Sequence, residues 1–299
     1  MLAILKKKAE PGIYVEDVPI PNIKGDEVLV QVKAAGICGS DVHMYEWTSG
    51  YEWQEQYMPL IIGHEYSGVV VEKGENVNDL EVGDTVVCRP AVPCGECLYC
   101  KSNRMHMCDR KGKALGLRND GGFAEYSAVQ EKYCVKMPEN ISFEEGALVE
   151  PLVVASNSAY NGNILLGDTA VFMGPGTIGL LTMLCAKAFG VSKAILTGTS
   201  QDVSRFKIAE QIGADHIIYS DKEDAVKKVM ELTDGYGADM VFEATGVPST
   251  IQTSLNMLQK ASILVAIGIH SKPAEIDVTS FVRSSKKILG SYGGPVSWE

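Results

Sequence analysis

Apolar and polar positions along the chain follow two regimes. From Glu27 to Val32, Ser67 to Val71 and Asp84 to Cys88, short β-type runs rich in valine are separated by turns of Gly, Pro, Asn and Asp. This punctuation predicts an all-β body. Near Glu150 the pattern changes. Apolar runs at Ala170 to Met173, Ala194 to Thr197, Met240 to Ala244 and Ile263 to Ile267 alternate with helical stretches, which predicts a parallel, doubly wound α/β sheet. The expected division is a β-rich domain over 1–150 and a sheet-and-helix domain over 151–292. No internal repeat or low-complexity segment interrupts it.

Composition agrees with two cores. The 299 residues are 45% hydrophobic and 22% charged, ordinary for a globular chain long enough for two domains. No apolar run approaches the length of a membrane span, and Lys6, Lys7 and Lys8 follow the first apolar residues instead of preceding a long apolar stretch. A cytoplasmic protein without membrane contact is expected. The net charge of -11 argues against a nucleic acid or anionic membrane as partner, since either rewards a basic face. Small-molecule chemistry fits better.

Cysteine spacing sharpens that picture. Four of the eight cysteines, Cys94, Cys97, Cys100 and Cys108, follow the pattern C-x2-C-x2-C-x7-C, which favours metal over disulfides. Four thiolates close a tetrahedron around Zn2+ and leave a site charge of about -2, so this lobe over 94–108 reads as a structural cross-link. Lys101, Arg104, Arg110, Lys111 and Lys113 against Asp109 supply offsetting positive charge. A redox or iron-sulfur role is the weaker reading, because no further cysteines cluster with the four. Cys88, Cys134 and Cys185 stand in apolar surroundings and read as small buried hydrophobes. A second ligand set is dispersed: Cys38, the Gly63-His64-Glu65 run and Glu150 offer a thiolate, an imidazole and carboxylates. With one carboxylate, such a set brings Zn2+ to a total charge of about zero and leaves a Lewis acid able to acidify an alcohol.

A cofactor loop follows the first strand of the second domain. Gly174-Pro175-Gly176-Thr177-Ile178-Gly179 is a G-x-G-x-x-G sequence between the run Ala170 to Met173 and the helical run Leu180 to Phe189. In that setting the glycines permit a tight turn and close approach of a pyrophosphate, and the helix N-terminus offers free N–H groups. The next strand, Lys193 to Thr197, leads to Gly198 where a dinucleotide site commonly keeps an acid for the ribose 2'-hydroxyl. Thr199, Ser200 and Arg205 follow, a set that accommodates a 2'-phosphate, so NADP is favoured over NAD. Asp202 is the alternative acid.

These residues resemble the zinc-dependent medium-chain dehydrogenase/reductases. Gly63-His64-Glu65, two residues, Gly68, five residues, Gly74, two residues and Val77 reproduce the zinc-alcohol-dehydrogenase pattern. Cys38-Gly39-Ser40-Asp41-Val42-His43, the cysteine lobe, Gly121-Gly122-Phe123-Ala124-Glu125-Tyr126 and Glu150-Pro151-Leu152 continue it in order. The chain looks similar to the sorbitol, butanediol and threonine dehydrogenase branch, with Glu150 standing where other branches use a cysteine. Tyr45-Glu46-Trp47 resembles threonine dehydrogenases, while the Gly198 loop does not.

The resemblance implies a GroES-like catalytic domain, a Rossmann NAD(P)-binding domain and oxidation of a secondary alcohol or polyol by hydride transfer to nicotinamide. It implies a catalytic zinc on Cys38, His64 and a carboxylate, either Glu65 or Glu150. Both together would bring the site to about -1, so the two are expected to exchange or one to act through water. Ser40 and His43 are read as a proton relay, against the plainer reading of Ser40 as a helix cap and His43 as a satisfied partner. A homodimer or homotetramer joined near Ser262 to Tyr292 is also implied. His106 reads as solvated, and His216 and His270 as surface or cofactor-edge residues. Asn157 replaces a histidine common in the branch. Tyr45, Trp47, Tyr51 and Trp53 read equally as cleft or lobe packing. A strand like Lys287 to Tyr292 is followed in the family by elements that return to the catalytic domain. Here 293–299 is only the start of that return, and a fragment of a longer reading frame is the expectation. A non-catalytic zinc- and nucleotide-binding protein is the competing one.

Overall fold

The computed structural model describes residues 1–109, 114–270 and 272–294. Among the described residues it forms two compact units, 1–151 and 152–294.

The first unit is mostly antiparallel sheet. Strands β1 (Leu2–Lys6), β2 (Tyr14–Asp17) and β4 (Leu60–Ile61) form a small sheet in the order β2-β1-β4. Strands β3 (Glu27–Gly36), β5 (Glu65–Lys73), β6 (Thr85–Cys88), β7 (Tyr126–Gln130) and β8 (Cys134–Lys136) form a larger one in the order β7-β3-β5-β6-β8. Val28 and Val30 of β3 meet Tyr66 and Val70 of β5 and Val129 of β7 in its core, as alternation on a pleated strand requires. The body is not purely β: helices Gly39–Glu46 and Phe143–Ala147 and one turn at Leu98–Lys101 interrupt it. The first of these helices was not legible because its few apolar residues face no sustained stripe.

Register decides what this unit does. In the β3–β5 pair Gly36 lies opposite Glu65 and Ala35 opposite Tyr66. The chain leaving β3 therefore reaches Cys38 beside the residues that open β5. A Cβ at Gly36 would stand 2.4 Å from a Glu65 carboxylate oxygen, so a side chain there would displace Glu65 from its place.

In the second unit, β9 (Thr169–Met173), β10 (Lys193–Gly198), β11 (His216–Tyr219), β12 (Ala238–Glu243), β13 (Leu258–Ala266) and β14 (Lys287–Gly290) make a parallel sheet ordered β11-β10-β9-β12-β13-β14. The order reverses between β9 and β12, the switch point where such sheets bind ligands at their carboxyl ends. Alternate residues build two cores. Ala170, Phe172, Leu196 and Phe242 pack with Ala155, Met183 and Phe206 on one face; Val171, Ile195, Val241 and Leu264 pack with Val229, Ile251 and Leu255 on the other. β11 was not predicted. β13 begins at Leu258, earlier than its apolar run suggested, and β14 ends at Gly290, before Tyr292. The helix after β9 starts at Thr177, inside the glycine motif, and spans Thr177–Phe189.

Among the described residues no helix is long and apolar enough to cross a membrane. Phe172 and Phe242 stack at 5.2 Å between centroids in the first of these cores. Phe242→Ala is expected to destabilise the second unit by about 3–5 kcal/mol, read from its unfolding transition in denaturant.

Candidate active site and metal centres

Three ligand types converge where β3 gives way to the helix Gly39–Glu46. Cys38 is the N-cap, with extended backbone, and its amide donates to Asp41 Oδ2 at 2.9 Å. Asp41 Oδ1 lies 3.8 Å from His64 Nδ1, with both side chains buried. Neither of these two atoms has a hydrogen-bond partner, so the carboxylate acts on the imidazole through its charge and not through a bond. His64 itself is set by Gly63, whose φ is 89° and whose carbonyl accepts from the Gly122 amide at 2.8 Å. A Cβ on Gly121 would fall 2.0 Å from that carbonyl and one on Gly122 2.3 Å from the Tyr66 ring, which explains the paired glycines in Gly121-Gly122-Phe123. Cys38, His64 and Glu65 each offer a ligand atom, and these atoms lie within 4.8 Å of one another.

The electrostatics of this cluster ask for a cation. Burial pushes the Cys38 thiol up to about 12, and the Glu65 and Glu150 charges add to the rise. Burial likewise raises Glu65, against the attraction of His64, and lifts Glu150 to about 7, with His64 opposing and Glu65 and Asp41 reinforcing. Glu150 opens the helix Val149–Asn161 and stands outside the three-residue ligand group, near enough for its charge to reach it. Several acids withdrawn from water share one imidazole, and a divalent ion is the group that would favour their ionised forms. The Ser40 hydroxyl is buried beside the Cys38 thiol without a hydrogen bond of normal geometry. Ser40 is not the helix cap, because Cys38 holds that position. His43 lies one turn along, its Nδ1 3.0 Å from Thr48 Oγ1. The capping role of Asp41 and its place beside His64 were missed in the sequence; its position three residues past an N-cap, where a capping-box acid sits, was the available signal.

The cysteine lobe forms a second cluster. Sγ–Sγ separations are 3.5 Å for Cys97–Cys100, 3.8 Å for Cys97–Cys108 and 3.9 Å for Cys94–Cys100. Zinc–sulfur bonds of about 2.3 Å give a tetrahedron with edges of about 3.8 Å, so the four thiols fit that ion. The amides of Cys97 and Cys94 donate to Cys94 Sγ and Cys108 Sγ, each at 3.4 Å. Amides aimed at its sulfur, from Glu96 and Cys97, pull Cys94 down to about 7. Of the basic residues expected to offset this charge, Arg110, Lys111 and Lys113 lie outside the described residues. His106 is half-buried in the lobe.

The dinucleotide loop shows a distinct job for each glycine. Gly174 has φ 94° and would strike Thr245 with a Cβ. Gly176 caps the helix Thr177–Phe189 and has nothing within 4 Å of its Cβ position, leaving an open backbone face. A Cβ on Gly179 would stand 1.9 Å from the Gly174 carbonyl, so the helix can press on the turn only without one. Thr177 and Ile178 begin that helix. Sequence reading missed the support beneath: fully buried Glu243 accepts from the Thr245 amide at 2.8 Å and the Thr250 hydroxyl at 2.9 Å, with His270 Nε2 3.3 Å from its other oxygen. An acid ending an apolar strand was the available signal.

At the end of β10, Gly198 has no room for a side chain: a Cβ would lie 2.8 Å from Phe206 and 2.9 Å from Pro175. The space expected there is taken by packing, which excludes an acid at that position. Asp202 accepts from the Thr199 amide and hydroxyl, both at 2.9 Å, and pairs with Arg205 at 3.3 Å. Arg205 therefore starts from an ion pair. Asp221 accepts from the Ser200 amide at 2.9 Å and from its hydroxyl. Elsewhere His216 opens β11 at the amino end of the sheet, away from the cofactor edge, while His270 follows β13 at the carboxyl end. Buried Asn157 holds the Gly293 carbonyl at 2.8 Å, a packing role. Tyr45 and Trp53 are exposed, and Tyr51 lies against His43, 5.3 Å between centroids. Cys88 and Cys185 are buried, but Cys134 is only half-buried.

Residues 24–139 match the family model of the alcohol dehydrogenase GroES-like domain, and residues 177–299 that of the zinc-binding dehydrogenases. A D-arabitol-phosphate dehydrogenase of Enterococcus avium is 36% identical over 94% of this chain and 80% of its own length. An L-threonine 3-dehydrogenase of Bacillus licheniformis is 38% identical over the same shares. Among solved structures, a zinc-binding dehydrogenase from Sinorhizobium meliloti bound to NADP superposes with a TM-score of 0.91 at 30% identity, covering 99% of this chain and 85% of that one. The ligand geometry of the first unit, the dinucleotide loop of the second and these likenesses agree: the chain belongs to the zinc-dependent medium-chain dehydrogenases, with a GroES-like domain and a Rossmann domain.

Proposed function

We propose that this protein oxidises a secondary alcohol or polyol, using a catalytic zinc on Cys38, His64 and Glu65, a structural zinc on Cys94, Cys97, Cys100 and Cys108, and a nicotinamide dinucleotide on the Gly174–Gly179 loop. The convergence of Cys38, His64 and Glu65 ligand atoms within 4.8 Å carries the reading. Glu65 is the resident carboxylate, and Glu150, outside that group, is its exchange partner. When bound, the ion lowers the pKa of an alcohol and the nicotinamide accepts hydride. The chain's own residues do the rest. Asp41 places a carboxylate charge beside the His64 ring, Ser40 offers a hydroxyl next to the ligand set, and His43, on the same helical face three residues on, takes the proton outward. The Gly176 backbone face and the helix N-terminus receive the pyrophosphate.

NADP is the favoured cofactor. Packing at Gly198 bars an acid there, Arg205 meets Asp202 through one nitrogen and keeps further donors for a 2'-phosphate, and the Sinorhizobium relative carries NADP. Asp202 is held below its ordinary range: partial burial raises it, but the Thr199 hydrogen bonds and Arg205 outweigh that. It is thus committed to capping rather than to a ribose. The relatives act on compounds as different as an arabitol phosphate and threonine, so the substrate is defined here only as an alcohol beside a zinc. An assembly of two or four copies in the cytoplasm, without nucleic acid or membrane partners, completes the proposal.

Turnover with a panel of polyols and threonine, measured beside zinc content, tests this reading. Two zincs per chain with hydride transfer support it; two zincs and no turnover on any alcohol favour a binding protein that retains both sites. Cys97→Ala should lower zinc from two to one per chain by atomic emission. Ser40→Ala should cut kcat by roughly 10²-fold while zinc stays at the wild-type level. Arg205→Ala should raise the KM for NADP roughly tenfold and leave that for NAD unchanged; equal effects on both would reject the NADP assignment.

A further inference from the structure

The helix carrying Ser40 and His43 ends in an unusual way. Its C-cap is Trp47 at φ 54°, ψ 53°, a left-handed conformation that residues other than glycine seldom adopt. The amides of Trp47 and Thr48 both donate to the His43 carbonyl, and this reversal carries the Thr48 side chain back along the helix. Thr48 Oγ1 arrives 3.0 Å from His43 Nδ1. Tyr51, three residues on, lies against the imidazole with 5.3 Å between ring centroids.

A buried cation braces the reversal. Lys6 is fully buried, and its ammonium sits 5.0 Å from the centroid of the Trp47 ring, within the range of a cation–π contact. The same ammonium donates to the Glu10 carbonyl and, at 3.0 Å, to that of Gly12; the Gly12 amide in turn donates to Tyr45 at 2.7 Å. A lysine withdrawn from water onto an aromatic ring and two carbonyls is costly to keep unless the conformation it secures is needed. What this conformation secures is the contact between Thr48 and His43.

We propose that Thr48 is the positioning residue of the proton relay, its Oγ1 accepting the Nδ1–H of His43 so that the Nε2 lone pair is the proton acceptor. The inference rests on the relay role of His43 given under Proposed function. An imidazole has one protonated and one bare nitrogen when neutral, and the partner on one side decides which is which. With Nδ1–H committed to Thr48, a proton from the Ser40 side enters at Nε2. The cation so formed donates from both nitrogens, and Thr48 keeps the bond it already had. No electrons move and the ring does not turn. A ring free to rotate would spend part of each cycle in the wrong orientation or tautomer.

The experiment compares Thr48→Val, Thr48→Ser and His43→Ala in the zinc-loaded enzyme, reading kcat, KM for alcohol and solvent deuterium isotope effect, with zinc content and thermal midpoint as controls of folding. Thr48→Val should lower kcat about tenfold with KM within twofold, and should raise the isotope effect. Thr48→Ser, which keeps the acceptor oxygen, should recover most of kcat. Wild-type kcat in Thr48→Val, or no recovery in Thr48→Ser, while His43→Ala still falls about 10²-fold, overturns the Thr48 assignment alone. Wild-type kcat in His43→Ala overturns the relay reading itself. Should Thr48→Val not fold, imidazole nitrogen-15 NMR of the wild-type protein decides, with His43 assigned by its loss in His43→Ala. A bare Nε2 supports the proposal, and a bare Nδ1 contradicts it.

Discussion

Burial of Cys38, Glu65 and Glu150 around one imidazole is the constraint on which the first unit depends. Each of these acids is driven toward its neutral form by loss of water; the Glu65 charge adds to the rise at Cys38 and Glu150, and the Asp41 charge to that at Glu65 and Glu150. A divalent ion reverses every one of those terms at once, which is why the same residues that are poor company for each other make a good ligand set. The two clusters of the first unit divide by charge. Four thiolates over-neutralise an ion and leave it inert, whereas a thiolate, an imidazole and a single carboxylate leave it electrophilic.

Sheet register and glycine packing turn that chemistry into a fixed geometry. Gly36 opposite Glu65 sets Cys38 beside the start of β5, and the Gly121 and Gly122 backbone holds Gly63, hence His64, from the other side. In the second unit the same economy appears at Gly174 and Gly179, where backbone meets backbone at distances no side chain would allow. Both sites are therefore made mostly by strand ends and tight turns. Side chains such as Asp41 and Glu243 then lock the turns from beneath.

The two-unit plan was legible because its signals are periodic or spaced: valine-rich alternation, four cysteines at metal spacing, and glycines between a strand and a helix. In the glycine loop, Gly174 and Gly179 answer steric needs that the motif states. What could not be read depends on contacts between distant residues. Asp41 matters because His64 lies against it, Gly198 because Phe206 and Pro175 fill the space a side chain would need, and Arg205 is tied to Asp202 by an ion pair that sequence order alone does not reveal. The helix Gly39–Glu46 escaped notice because the polar residues that serve the site also erase its amphipathic stripe.

The claim that buried acids of the first unit are organised by a metal is tested most directly by X-ray diffraction from crystals of the purified protein on either side of the zinc absorption edge. Two anomalous peaks per chain are expected, one among Cys94, Cys97, Cys100 and Cys108 and one bounded by Cys38, His64 and Glu65. A single peak, confined to the cysteine lobe in protein purified with zinc present throughout, would contradict the account.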